Sequence, residues 1–115
     1  MHELAIAQSI IEAIETRARE CEATRVTSVR LKIGEASGVV EDSLTLCFEM
    51  LANEMPILAG AQLTIDILPH RARCRHCDRE FAIANYIAQC PTCQRLSTDI
   101  ISGTELQIMD MEIET

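Results

Sequence analysis

The chain has 115 residues, with 10 basic against 18 acidic side chains and a formal net charge of −8. That length holds one small domain and an appendage. The acidic balance, with two Phe, one Tyr and no Trp, argues against nucleic acid, whose binding needs Lys and Arg on phosphate and aromatic rings under bases. No apolar run reaches the ~18 residues of a membrane span.

The first residues carry His2 and Glu3 where a secretory leader would be basic, so a cytoplasmic home is expected. Residues 3–22 read as a helix. Leu4, Ala7, Ile11, Ile14, Ala18 and Cys21 recur at steps of three and four, one face of a 3.6-residue period. Gln8, Glu12, Glu15, Arg19 and Glu22 lie mostly on the other side. Residues 26–33 alternate, with Val29, Leu31 and Ile33 inward and Arg30 and Lys32 outward, as in a strand with one wet face. Gly34 and Gly38 break the pattern around GEASG, which lacks the Gly-Lys-Ser/Thr that cradles phosphate.

A second helix is expected from Glu41 to Asn53, with the apolar stripe Leu44, Cys47, Phe48, Leu51 and Met55 and a stop at Pro56. Glu41 and Asp42 fall in its first turn, where the helix dipole favours them. Residues 62–68 alternate as a strand, and Pro69 marks its exit. Ser102-Gly103 reads as a turn before a last strand over 104–113. There Leu106 and Ile108 share one parity and Met109, Met111 and Ile113 the other, which predicts a bulge or burial on both faces. Cys21 and Cys47, each on an apolar helical stripe, read as buried free thiols in a reducing compartment.

The remaining cysteines form two C-x-x-C pairs, Cys74/Cys77 and Cys90/Cys93, separated by residues 78–89. Each pair turns two thiolates toward one point, and two pairs complete a tetrahedral set for Zn²⁺ at about 2.3 Å. The intervening run is long enough to go out and return as a hairpin, the plan of a zinc ribbon. Four sulfurs leave no open coordination position, so the metal is structural rather than catalytic. A disulfide framework needs an oxidising compartment, and redox chemistry would leave two pairs at ribbon spacing unexplained. The predicted fold is α+β: a small three-stranded sheet with two packed helices, spanning residues 1–69 and 100–115, and an inserted zinc-ribbon lobe at 70–99.

The opening Met1-His2-Glu3 puts an α-amine, an imidazole and a carboxylate within three residues. The amine, the deprotonated His2 amide and the imidazole can form a tight chelate, with Glu3 or another side chain completing it. Such nitrogen and oxygen sets suit Ni²⁺ or Cu²⁺. The plainer reading of these three residues is a frayed polar terminus whose Glu3 complements the helix dipole.

Met1-His2-Glu3-Leu4 with Gln8-Ser9, Gly34-Glu35-x-Ser37-Gly38-Val39, Phe48-Glu49, the paired C-x-x-C and Gly103-x-Glu105-Leu106 together resemble the HypA family over nearly the whole chain. Those proteins are nickel metallochaperones for [NiFe]-hydrogenase maturation. The resemblance implies an α/β nickel-binding lobe and a zinc lobe. His2 is then the essential nickel ligand, helped by Met1 and Glu3, while Cys74, Cys77, Cys90 and Cys93 hold zinc. It implies a HypB-like GTPase and the hydrogenase large subunit as partners, leaves a homodimer open, and implies no enzymatic step. The alternative is a zinc-ribbon module that binds protein or nucleic acid without nickel chemistry. Many family members have Gly after each C-x-x-C, where this chain has Asp78 and Gln94; Asp tolerates a left-handed backbone better than Gln. Glu41 and Asp42 lie near a carboxylate that some members use for nickel but do not match it one to one, and His76 reads as a solvated side chain on a metal turn.

Overall fold

The computed structural model describes residues 2–115. In chain order the elements are α1 (His2–Glu20), β1 (Arg25–Gly34), α2 (Glu41–Ala52), β2 (Gln62–Leu68), β3 (Arg71–Arg73), β4 (Glu80–Ala82), β5 (Ile100–Ser102) and β6 (Leu106–Glu114). The strands make two three-stranded sheets, ordered β2-β1-β6 and β4-β3-β5. The class is α+β, as the alternation of helical and strand periodicities predicts. The chain divides into two compact units, one of Met1–Leu31, Val39–Asp66 and Gln107–Thr115, the other of Lys32–Gly38 and Ile67–Leu106.

In the first unit α1 and α2 pack on each other. Their buried faces are Ala7, Ile10, Ile11, Ile14 and Ala18 from α1 and Leu44, Phe48 and Ala52 from α2. Val26, Val29 and Leu31 of β1 are buried in the same unit, and Phe48 is wholly enclosed. Each such large apolar side chain contributes about 1.5–3 kcal/mol by leaving water. On the polar side, Arg30 of β1 reaches Asp66 of β2 at 3.8 Å and Asp110 of β6 at 3.0 Å. These pairs are about half exposed and worth under about 1 kcal/mol each.

Several details depart from the periodicity. Leu4 is exposed and Ile10 is buried in its stead. Helix α1 ends at Glu20, where Glu22 takes a positive φ of 56°, and Cys21 lies past the helix. Cys21 and Cys47 are half-buried rather than enclosed. Helix α2 closes at Ala52, before Pro56 is reached, with the Asn53 N–H on the Glu49 carbonyl and the Glu54 N–H on the Leu51 carbonyl. The mixed parity of β6 does not reflect burial on both faces: Leu106, Ile108 and Met109 are exposed, and only Met111 and Ile113 are partly covered.

In the second unit β3 pairs antiparallel with β4 (Arg71 opposite Ala82, Arg73 opposite Glu80) and with β5. Its core is Ala72, Cys74, Phe81, Ile83 and Cys90, with Ala88 and Cys93 packed against it. Two turns of the same form carry the cysteines. In one, the Asp78 N–H donates to the Cys74 carbonyl at 2.7 Å and the Cys74 N–H to the Arg79 carbonyl at 2.8 Å; in the other, the Gln94 N–H donates to Cys90 at 2.8 Å and the Cys90 N–H to Arg95 at 2.9 Å. Closing each turn puts Asp78 at φ 58° and Gln94 at φ 61°, the left-handed region that glycine enters without strain.

The motif glycines and glutamates of the sequence fasten this unit. The Gly34 N–H donates to the Glu105 carbonyl at 2.9 Å, and the Ala36 N–H to the Gly103 carbonyl at 2.8 Å. Glu35 Oε1 accepts from the His70 N–H at 2.9 Å, and Glu105 Oε1 from the Gly103 N–H at 2.7 Å. A Cβ on Gly34 would run into the backbone of Gly103 and Thr104. Backbone cannot swing aside as a side-chain tip can, so Gly34→Ala is expected to cost about 3 kcal/mol, read as a fall in the urea midpoint at unchanged slope. Gln94→Gly is expected to stabilise by about 0.5–1 kcal/mol, because relief of left-handed strain outweighs the extra freedom of the unfolded glycine. Asp78→Gly should gain less, and thermal unfolding of the two variants side by side gives the order.

Candidate metal centres

Cys74 follows β3 directly, and the first turn brings Cys77 back beside it; the second turn does the same for Cys90 and Cys93. The four Sγ atoms all lie within 4.8 Å of one another. Cys74 Sγ stands 3.4 Å from Cys93 Sγ, and Cys77 Sγ 3.5 Å from Cys90 Sγ, so each close pair joins one turn to the other. The edge of a tetrahedron with metal–sulfur bonds of about 2.3 Å is about 3.8 Å, and the cage matches it. Among the described residues this is the one group of three or more Cys, His, Asp or Glu whose ligand atoms converge. Cys74 and Cys90 are buried in the small core while Cys77 is exposed, so ligand set and core are the same structure. A soft, closed, four-sulfur set fits a structural zinc.

The turns also prepare the sulfurs electrostatically. The Cys93 backbone N–H, with that of Thr92, pulls the Cys90 thiol down to about 6, and the Cys77 backbone N–H lowers Cys74. Cys77 is pushed up to about 11, first because it donates a hydrogen bond to Cys90. Cys74 and Cys90 are thus shifted down and Cys77 and Cys93 up, and a divalent ion that binds all four sulfurs must displace the protons they hold. His76, between Cys74 and Cys77, is exposed.

At the other end of the sequence, His2 is the first residue of α1 and its side chain is largely exposed. Its Nε2 stands 2.9 Å from Glu3 Oε2. Glu3, unlike its neighbour, is buried, with 7% of its surface exposed. The same Oε2 accepts the Val40 N–H at 3.3 Å. Val40 is the N-cap of α2 and has no side-chain oxygen with which to cap it. The Glu3 carboxylate thus stands in for a cap from another helix. Its pKa is lowered, first by the Val40 N–H and further by its own backbone N–H and by His2, against the opposing effect of burial. The structure brings His2 and Glu3 side by side; Met1 lies outside the described residues. Glu41 and Asp42, in the first turn of α2, are exposed.

One residue gave no signal in the sequence. His70 is buried, its ring set edge-on to Tyr86 at 5.9 Å, and Gly103 lies so close that a Cβ there would meet the His70 Cβ at 2.8 Å. Its burial depends on a glycine 33 positions on, which no local pattern announces; the Gly103-x-Glu105 signature is the one cue that this stretch is sterically exacting.

A family model described as hydrogenase/urease nickel incorporation, metallochaperone, hypA, matches residues 1–113. Hydrogenase maturation factor HypA of Geobacter metallireducens is 39% identical over 114 residues, covering 99% of this chain and all of the relative. That of Geotalea uraniireducens is 40% identical with the same coverage. The solution structure of the Ni metallochaperone HypA from Helicobacter pylori superposes with a TM-score of 0.72 at 24% identity, covering 99% of this chain and 98% of that one, a likeness of fold. A second HypA solution structure gives 0.71 at 26% identity, covering 98% and 96%. The chain belongs to the HypA family of hydrogenase maturation factors, metallochaperones rather than enzymes.

Proposed function

We propose that this chain binds Ni²⁺ at its N-terminus and delivers it for maturation of a [NiFe]-hydrogenase, while zinc held by Cys74, Cys77, Cys90 and Cys93 supports the fold. The observation that carries this reading is the family match over residues 1–113, which takes in both the N-terminal triplet and the cysteine cage. The α-amine of Met1 and the amide and imidazole of His2 make up the core of the nickel site, with Glu3 beside it. The two sites divide the metals by donor chemistry: amine, imidazole and carboxylate groups suit nickel, and a thiolate cage suits zinc-like ions. No helix of the described residues is long and apolar enough to cross a membrane, and the proposed setting is the cytoplasm. Nickel release draws on partners, a HypB-like GTPase and the hydrogenase large subunit, because this chain has no phosphate loop of its own.

A titration of the purified, untagged protein, with nickel and zinc counted separately, tests the reading: one of each per chain is expected. His2→Ala should abolish nickel uptake and leave zinc content and helix content unchanged. A peptide extension that turns the Met1 amine into an amide should do the same with every side chain in place. Zinc without any nickel uptake would leave a zinc-ribbon module as the function. Nickel affinity should fall as pH drops, because protons compete for the nitrogen donors.

Cys74→Ala should unfold residues 70–99 and leave α1 and α2 formed, since the small sulfur-centred core is distinct from the residues that bury the helices. A structural zinc is worth on the order of 10 kcal/mol to a domain this small. Acidification acts in the same direction: once pH falls through the lowered Cys90 value of about 6, a proton competes for a sulfur that is otherwise free to bind. Zinc retention measured against pH should therefore weaken toward acid, and NMR dispersion of residues 70–99 should fall with it.

A further inference from the structure

The Glu3 carboxylate is oriented to do something other than bind metal. It is nearly buried, and one oxygen, Oε2, meets both His2 Nε2 at 2.9 Å and the Val40 N–H at 3.3 Å. A carboxylate is an acceptor only, so the group facing it on His2 must be a donor. In the neutral imidazole that places the proton on Nε2 and leaves the Nδ1 lone pair free. Nδ1 is also the nitrogen nearer the main chain, the one from which a chelate with the His2 amide closes in a small ring. A ligating histidine whose other nitrogen donates to a carboxylate is fixed in tautomer and ring angle, and the carboxylate makes the ligating nitrogen more basic.

We propose that Glu3 is a positioning residue: it holds His2 as the Nε2–H tautomer, with Nδ1 presented to nickel, and is not itself a nickel ligand. The assignment rests on the proposed nickel site at His2. The Val40 contact gives the carboxylate its place. Glu3 serves as the missing cap of α2, so the acceptor that aligns His2 is also tied to a second helix. Were Oε2 to leave for a metal, both His2 Nε2–H and the Val40 N–H would lose their acceptor.

Three measurements on zinc-loaded protein test this. Long-range proton–nitrogen NMR of the nickel-free protein should show His2 as the Nε2–H tautomer, and Glu3→Gln should turn it into a mixture. Nickel affinity should fall about 10- to 100-fold in Glu3→Ala, the range for loss of such an outer partner. The fall should be smaller in Glu3→Gln, whose side-chain carbonyl can still accept from Val40. The nickel d–d absorption band should stay in place in both variants, because the ligands are unchanged. Far-ultraviolet dichroism and zinc content check that the variants are folded, and Glu3→Gln is the arm that keeps the test decisive if Glu3→Ala loses helix. A shifted band, or an oxygen lost from the nickel shell by X-ray absorption, makes Glu3 a ligand and overturns the proposal. So does an unchanged tautomer together with unchanged affinity. Normal nickel binding by His2→Ala, by contrast, removes the N-terminal nickel site itself.

Discussion

The sulfur cage is the constraint on which residues 67–106 depend. Three strands of three residues each and a core of Ala72, Cys74, Phe81, Ile83 and Cys90 cannot offset the conformational entropy of ordering forty residues, at about 1–2 kcal/mol for each backbone. Two of the five core residues, Cys74 and Cys90, belong to the four-cysteine cage, so closing the cage and forming the core are one event. The two turns share the same pair of backbone hydrogen bonds and the same left-handed residue after the second cysteine. Those hydrogen bonds hold Gln94 in that shape without the help of a glycine.

A different economy governs the N-terminal residues. Burying a carboxylate is costly unless its lone pairs are used, and Glu3 uses one oxygen twice, on the Val40 N–H and on His2. The helix that needs a cap and the histidine that needs a partner are served by the same group. Helix α1 has its first turn, where a carboxylate is favoured by the dipole, beside the start of α2, where another is favoured for the same reason. One buried charge satisfies both helix ends.

What the sequence revealed and what it hid follow from distance along the chain. Ligand spacing is local, so the cysteine cage is legible from Cys74 to Cys93 without any structure. Helix and strand periods are local too, and β2 is bounded at Gln62 and Leu68 as the alternation indicates. The role of Glu3 lies 37 positions away at Val40, and the burial of His70 turns on Gly103. Both were open to a polar reading of the isolated residue. The parity slip in β6 was legible as a pattern, but its cause was not: an outer strand of the sheet can leave Leu106, Ile108 and Met109 in solvent. Ile10 was missed because its neighbour Ile11 already filled the helical stripe.

The interleaving of the two compact units has a consequence for biosynthesis. Lys32–Gly38 belongs with Ile67–Leu106, and Gln107–Thr115 belongs with the residues that open the chain. A nascent chain that has delivered both helices still lacks Gly103 and Glu105 to receive Gly34 and Ala36, and lacks β6 to flank β1. Neither unit is complete until residues beyond 100 have been made, even though the helices themselves form from local contacts. A chain interrupted before Gly103 therefore has both units open, and its exposed apolar surface is a substrate for chaperones and proteases.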